Sequence, residues 1–239
     1  IQHINHLTLS HYNNTIVYIK LVKKMRAKLV VANWKMNGSG SLIEKMLDAL
    51  IPINTSCKVV ICPPNVLLAS LKNAAEGTEI EVGAQNVHSE FSGAYTGETS
   101  AKLLKEFGVK WCIVGHSERR ILFEESDEFI RSKIETLINH GIVPILCIGE
   151  SLEDYNAGKT LEVLDMQLKE IFTSISSQKT VVIAYEPVWA IGSGKTPSSD
   201  EVNNIHQHIK DIVQSIANIA AINVIYGGSV NCENAKSFF

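Results

Sequence analysis

A repeated alternation of short apolar runs with amphipathic segments constrains the fold of this chain more than any other feature. The apolar runs have the length of strands, and the segments between them carry apolar residues at helical spacing. Strands that alternate with helices predict a parallel sheet. The seven predicted strands cover residues 29–32, 59–61, 80–84, 111–114, 143–148, 181–184 and 222–226.

Seven βα units fit two kinds of α/β fold. One is an open, doubly wound sheet, and the other is a closed barrel, which needs eight units and usually has about 250 residues. The chain has 239 residues, which suits one large α/β domain or two small ones. Periodicity alone leaves both folds open.

Composition excludes several classes of function. The formal net charge is -3, so bulk charge gives no reason to expect binding to nucleic acid or membranes. No apolar run approaches the roughly 20 residues of a membrane span. The five cysteines form no CxxC pair, and four lie in or beside predicted strands, which is typical of reduced core residues in a cytosolic protein.

The first 24 residues differ from the rest, and we predict an N-terminal extension at 1–24 and a folded domain at 25–239. Residues 1–14 carry histidines and asparagines without a core pattern, so we expect a disordered or non-native segment. Residues 15–22 are instead rich in β-branched and aromatic side chains. An alternative is that this run pairs antiparallel with the first strand of the domain.

Polar residues that can carry out chemistry follow four of the predicted strands. They are Asn33 and Lys35 after the first, His116 and Glu118 after the fourth, Glu186 after the sixth, and Gly227, Gly228 and Ser229 after the seventh. Each alone also fits a structural role, such as a solvated charge or a strand-ending turn. In a parallel barrel, however, such positions meet at one face.

Glu186 stands at the start of an unusual loop. Pro187 ends the strand, and Gly192 and Gly194 precede a helix that begins near Ser198. A carboxylate before a glycine-bearing loop indicates a base beneath a lid, so we expect residues 189–194 to order on ligand binding. Two other motifs fail: the run ending in Lys195-Thr196 lacks the leading glycine of a P-loop, and His206 and His208 face different sides of a helix.

Six motifs occur in the order and approximate spacing of the triosephosphate isomerase family, which the chain resembles from about residue 28 to 239. They are NWKMNG, GAYTGETS, GHSERR, CIGE, YEPVWAIGSGKT and YGGSV. The resemblance implies a TIM (β/α)8 barrel, of which this chain would contain seven βα units. It also implies a cytoplasmic homodimer of glycolysis and gluconeogenesis that uses no metal or organic cofactor. The implied reaction interconverts dihydroxyacetone phosphate and D-glyceraldehyde 3-phosphate by proton transfer through an enediolate.

The resemblance assigns a role to each matching residue. Glu186 would be the base, His116 a neutral electrophile, Lys35 a positive charge beside the enediolate and Asn33 a hydrogen-bond donor. Gly192 and Ser229 would bind the substrate phosphate, and Thr96 would reach into the partner subunit's site. Supporting roles fall to Glu118, Cys147, Gln85, Arg119 and Glu125.

The resemblance places the eighth strand and its phosphate-binding glycine pair after residue 239. We therefore expect the sheet to be open between its first and seventh strands. The alternative to an active isomerase is an inactive or weakly active truncated member of the family.

Overall fold

The computed structural model describes residues 9–12, 15–18, 28–53, 57–175, 177–190, 196–217, 219–228, 230 and 235. Seven of the described strands form one parallel sheet in which neighbours in sequence are neighbours in space. These strands are β3 (Leu29–Asn33), β4 (Lys58–Cys62), β5 (Ile80–Ala84), β6 (Trp111–Val114), β7 (Val143–Ile148), β8 (Ser177–Tyr185) and β9 (Ile219–Tyr226). The other two, β1 (Leu9–Tyr12) and β2 (Thr15–Tyr18), form a separate antiparallel hairpin.

Helices follow most strands of the parallel sheet, as the alternating pattern predicts. They are α1 (Gly40–Leu50), α2 (Leu68–Ala74), α3 (Ala101–Glu106), α4 (Ser117–Leu122), α5 (Asp127–His140), α6 (Leu152–Asn156), α7 (Thr160–Phe172) and α8 (Ser199–Ile216). None of these described helices is long and apolar enough to cross a membrane.

Two separate apolar clusters show that the sheet is rolled into a nearly closed barrel. The smaller cluster takes alternate residues of neighbouring strands, such as Val60, Ile113, Ile145 and Val182, and fills the interior. The larger cluster lies between the outer face of the strands and the helices. This arrangement confirms the predicted TIM-barrel fold and rules out the open sheet with helices on both faces.

The strands β3 and β9 stand at the two ends of the strand order. Both border one cavity of about 450 Å³, lined by Val30, Val31, Val224 and Ile225 among others. Among the described residues, each of the two strands therefore has one sheet neighbour, as the predicted opening requires.

Serine side chains fix where many of the helices begin. Ser39, Ser100, Ser126, Ser151 and Ser198 each accept an N–H from the first turn of the following helix. Gly141 ends α5 in the left-handed conformation, with φ of 74°. These capping residues fix where the helices begin and end.

The structure departs from the sequence expectations in a few places. The segment Val188–Ala190 forms a 3₁₀ turn, in which the Ala190 N–H donates to the Pro187 carbonyl, although no element was predicted there. The helix α6 was not predicted, since it is only five residues long. The strand Thr15–Tyr18 pairs with β1 and not with β3. The predicted last helix near Asn231 lies outside the described residues.

Candidate active site

A cavity of about 350 Å³ opens at the ends of the barrel strands where the sequence predicts the chemistry. Its lining includes Asn33, Lys35, His116, Cys147 and Glu186, which come from four different strand ends. The fold thus brings together residues that are far apart in the sequence, such as Asn33 and Glu186. Gly227 and Gly228 complete the wall beside the end of β9.

Glu186 lies directly after β8 and continues the inward-facing row of Val182 and Ala184. Its own N–H donates to the carbonyl of Ile148 at 2.8 Å, which ties the residue to the end of β7. The side chain is buried, and one carboxylate oxygen accepts the Ser117 N–H at 3.2 Å. The backbone therefore aims this carboxylate into the cavity.

His116 is the N-cap of α4, which begins at Ser117. Its Nδ1 accepts the N–H of Glu118 at 3.2 Å, so the ring proton is on Nε2. Nε2 lies 3.4 Å from Oε1 of Glu186. The helix start thus presents an N–H donor of a neutral imidazole to the cavity, beside the carboxylate.

Lys35 has a left-handed backbone, with φ of 51°, which is uncommon for a residue other than glycine. The Gln85 side chain donates to the Lys35 carbonyl at 2.9 Å, and Asn33 Oδ1 accepts the Lys35 N–H at 3.0 Å. Its ammonium lies 2.5 Å from Oε1 of Glu118. Backbone strain held by neighbouring hydrogen bonds is typical of a functional position.

Two glycines allow other strand ends to approach Glu186 closely. A side chain at Gly149 would collide with the Glu186 carbonyl oxygen. A Cβ at Gly227 would lie 2.8 Å from Cγ of Glu186, and the Gly227 N–H donates to the Tyr185 carbonyl at 2.7 Å. Glycine at these positions leaves room for the carboxylate and its backbone.

A buried ion-pair cluster supports α4 from behind. Glu125 pairs with Arg119 at 2.6 Å and with Lys133 at 2.5 Å, and Lys133 also donates to Asn86 at 2.9 Å. Burial lowers the pKa of Lys133, although the Glu125 carboxylate opposes that shift. Because Arg119 belongs to α4, the cluster anchors the helix whose start holds His116 and Glu118.

A second cavity of about 650 Å³ adjoins the first. Its lining includes Lys35, His116 and Glu118 together with the apolar side chains of Met36 and Leu122. Thr96 lies on the exposed connection after β5 and is absent from the described lining of the 350 Å³ cavity. The structure therefore does not bring Thr96 together with the other predicted residues of its own chain.

Comparisons with known proteins agree with this geometry over most of the chain. The family model described as triosephosphate isomerase matches residues 28–239. A triosephosphate isomerase of Enterobacter cloacae is 45% identical over 222 residues, which cover 90% of this chain and 87% of the relative. A triosephosphate isomerase of Psychromonas ingrahamii is 42% identical over 222 residues, covering 90% of this chain and 89% of the relative.

The chain belongs to the triosephosphate isomerase family. The resemblance drawn from the six motifs is thereby confirmed, as are the predicted TIM-barrel fold and the classification as an isomerase. The roles of individual side chains stay predictions, since they rest on position and geometry.

Several residues predicted for this triosephosphate isomerase family site cannot be placed. Gly192, Ser229 and residues 191–194 of the predicted lid lie outside the described residues. Trp189 and Ala190, which precede that segment, belong to the 3₁₀ turn. The predicted phosphate-binding roles of Gly192 and Ser229 therefore rest on the sequence alone.

Cys147 is buried beside the Glu186 carboxylate at the end of β7. Burial raises the pKa of its thiol, and the nearby negative charge of Glu186 raises it further. The thiol therefore stays protonated and acts as a neutral neighbour of the carboxylate. This placement is consistent with the supporting role that the family resemblance implies.

Glu150 is part of the CIGE motif, but the sequence analysis assigned it no role. The structure buries it completely, and its Oε1 accepts hydrogen bonds from Trp189 Nε1 at 2.7 Å and the Tyr185 hydroxyl at 3.1 Å. Burial raises the pKa of this carboxyl. Glu150 follows the end of β7, so the rule that located the other acids at strand ends could have found it.

Proposed function

We propose that this chain catalyses the interconversion of dihydroxyacetone phosphate and D-glyceraldehyde 3-phosphate, a step of glycolysis and gluconeogenesis. One observation carries the proposal: the neutral imidazole of His116 and the carboxylate of Glu186 face each other in one cavity, 3.4 Å apart at Nε2 and Oε1. An isomerisation of this kind needs a base and a hydrogen-bond donor on the same substrate. The family membership supports the same substrate class.

Glu186 is the base in this proposal. Its carboxylate removes a proton from the carbon next to the carbonyl of dihydroxyacetone phosphate, and the electron pair of that C–H bond moves to form the enediolate. Glu186 then returns the proton to the neighbouring carbon. The hydroxyl proton on the oxygen of the first carbon leaves, and the oxygen of the former carbonyl gains a proton, which gives the aldehyde. Because one carbon is oxidised while its neighbour is reduced within the same molecule, the reaction needs no external oxidant or reductant.

His116 and Lys35 stabilise the negative charge that develops on the substrate oxygens. The Nε2–H of His116 donates to these oxygens, and the ammonium of Lys35 supplies positive charge. Preorganised donors aimed at developing charge are a large source of rate acceleration. Asn33 lines the same cavity and adds a further hydrogen-bond donor, while Gly192 and Ser229 bind the phosphate in this proposal.

The proposal includes a cytoplasmic homodimer. The Thr96 loop of one subunit would enter the 650 Å³ cavity of the other, which lies next to Lys35 and Glu118. Met36 is 94% exposed and Leu122 is 71% exposed at this cavity, so an apolar surface is available for a partner. A reducing location is supported by three buried cysteines of the described residues, Cys62, Cys112 and Cys147, which are free thiols.

A coupled isomerase assay with each triose phosphate in turn tests the proposal. We expect the chain to turn over both substrates and Glu186→Gln to lower kcat by about 10²–10⁴-fold, because the amide cannot accept the proton. KM should change much less, since the base acts in the transition state. Glu106→Gln, at an exposed position at the end of α3, is the matched control and should retain the parent rate.

Two results would count against the proposal. A Glu186→Gln variant within a few-fold of the parent would remove Glu186 from the role of base. Absence of turnover in the parent chain, despite a folded barrel, would favour the alternative of an inactive or weakly active family member.

A further inference from the structure

Tyr155 of α6 packs against the turn that follows the predicted base. Its ring stacks on the indole of Trp189, with centroids 4.2 Å apart and an interplanar angle of 28°. Trp189 lies in the 3₁₀ turn Val188–Ala190, which begins two residues after Glu186. The stack therefore joins a short surface helix to the segment that carries the candidate base.

The opposite edge of Trp189 is also held. Its Nε1–H donates to Glu150 at 2.7 Å, and the same carboxylate oxygen accepts the hydroxyl of Tyr185, the residue before Glu186. The Val188 N–H donates to the Glu150 carbonyl at 3.2 Å. Glu150 thus fixes residues on both sides of Glu186, and Tyr155 covers the indole that makes one of these bonds.

Tyr155 also faces the start of α8. The Glu201 carboxylate raises the pKa of the Tyr155 hydroxyl, through its charge and as a hydrogen-bond partner. Glu201 lies in the first turn of α8, where its N–H donates to the capping Ser198. One side chain of α6 therefore contacts the turn after β8 and the helix that follows it in the chain.

The helix α6 is itself well fixed. Ser151 and Asp154 form a reciprocal capping box at its start, with both backbone N–H groups bonded. The Ala157 N–H closes its last turn on Glu153. Because α6 is capped in this way, it can hold the Tyr155 ring in place against the indole of Trp189.

We propose that Tyr155 is a positioning residue for the candidate base: by stacking on Trp189 it holds the turn Val188–Ala190, and hence Glu186, in the orientation the reaction needs. This inference rests on the proposed isomerase function. Tyr155 does not line the 350 Å³ cavity, so it acts through Trp189 and Glu150. Small displacements of a reacting group can cost up to about 10²-fold in rate.

Two substitutions separate the ring stack from the hydroxyl. Tyr155→Ala removes the stack, and we expect kcat to fall about three- to thirty-fold with KM within about twofold. Tyr155→Phe keeps the ring and loses only the hydroxyl, so it should restore kcat to near the parent value. Leu152→Ala, at an exposed position of the same helix, is the matched control and should leave kcat unchanged.

Acrylamide quenching of tryptophan emission gives a readout that does not depend on turnover. The contribution of Trp189 is obtained by difference from a Trp189→Phe variant, because Trp34 and Trp111 also emit. Tyr155→Ala should increase quenching of Trp189, and Tyr155→Phe should not. Far-ultraviolet circular dichroism of each variant verifies that the barrel is folded.

The outcomes are distinct. Unchanged kcat in Tyr155→Ala would overturn the inference, and so would a Tyr155→Phe variant as slow as Tyr155→Ala, since the hydroxyl would then matter and not the stack. If the parent chain shows no isomerase turnover, the proposed function fails by itself. The quenching comparison then decides whether Tyr155 holds Trp189, and equal quenching in parent and Tyr155→Ala would overturn that as well.

Discussion

Glu186 is placed by contacts that involve backbone as much as side chain. The ends of β7 and β9 approach it so closely that glycine is required at both, and the N–H of Ser117 holds its carboxylate. The position of the Glu186 carboxylate is therefore sensitive to a single Cβ atom added at Gly149 or Gly227, although neither glycine takes part in the proposed reaction.

We predict that Gly227→Ala lowers kcat while the barrel stays folded. The added Cβ would lie 2.8 Å from Cγ of Glu186, so the carboxylate must move. A loss on the order of tenfold or more is expected, since misplacing a catalytic group by about 1 Å can cost up to 10²-fold. Steady-state kinetics measure the effect, and Gly40→Ala is the control because a Cβ there meets nothing within 4 Å.

His206 of α8 predicts a pH dependence of stability. Burial, together with the charge of Lys210, lowers its pKa from 6.5 to about 4. The folded state therefore keeps His206 neutral where the unfolded state already binds a proton. The contribution to stability is present above pH 6.5 and is lost progressively as the pH falls from 6.5 to about 4.

Replacement of this histidine tests that dependence. Urea unfolding at pH 7 and at pH 5 should show a larger loss of stability in the parent than in His206→Gln, which cannot titrate. The control is His208→Gln, which changes a histidine of the same helix and retains His206. It should keep the acid sensitivity of the parent. An equal loss in the parent and His206→Gln would contradict the prediction.

At the scale of the element, serine N-caps fix helices that support the site, although they do not begin the helix that carries His116 and Glu118. Ser126 accepts the N–H of Phe129 and begins α5, which packs Lys133 against Glu125. Loss of this cap therefore affects an element that supports α4, and through it His116.

We predict that Ser126→Ala destabilises the protein by about 1 kcal/mol, because a first-turn N–H loses its acceptor. Ser126→Asp should preserve stability, since its carboxylate also caps and favours the helix N-terminus. Ser132→Ala, at a half-buried position within the same helix, serves as the control. The measurement is the urea midpoint, and equal midpoints for Ser126→Ala and the parent would refute the role of the cap.

At the scale of the whole molecule, two apolar surfaces remain open in the described part of the chain. One is the cavity between β3 and β9, and the other is the 650 Å³ cavity lined by Met36 and Leu122. The second lies beside the candidate catalytic residues, so assembly at this surface would affect the site directly.

We predict that Met36→Asp weakens the proposed homodimer. A carboxylate at a side chain that is 94% exposed in one subunit would be buried without a partner in that proposed assembly, which is unfavourable. Met166→Asp, at a 61% exposed methionine of α7, is the matched control and should not change assembly. Analytical ultracentrifugation over a range of concentrations measures the outcome, and dissociation constants that agree for both variants would exclude the proposed interface.

The sequence determined where the strands lie and which polar residues follow them, because buried parallel strands are continuous apolar runs. The barrel, in which such residues meet at one face, was implied by the resemblance to the family, since periodicity left the open sheet possible as well. Asn33, Lys35, His116 and Glu186 all follow strand ends in this way. Ser198 likewise marked the start of a helix through local backbone chemistry.

Only the tertiary structure decided which groups touch. The pairing of Glu186 with Ser117 and His116, the strained backbone of Lys35 and the stack of Tyr155 on Trp189 depend on how distant segments pack. Local periodicity reports which face of an element is apolar, and it contains no information on the distance between side chains of different elements. The sequence pattern could therefore indicate that Glu150 follows a strand end. It could not indicate that Glu150 is buried and bonded to Trp189 and Tyr185.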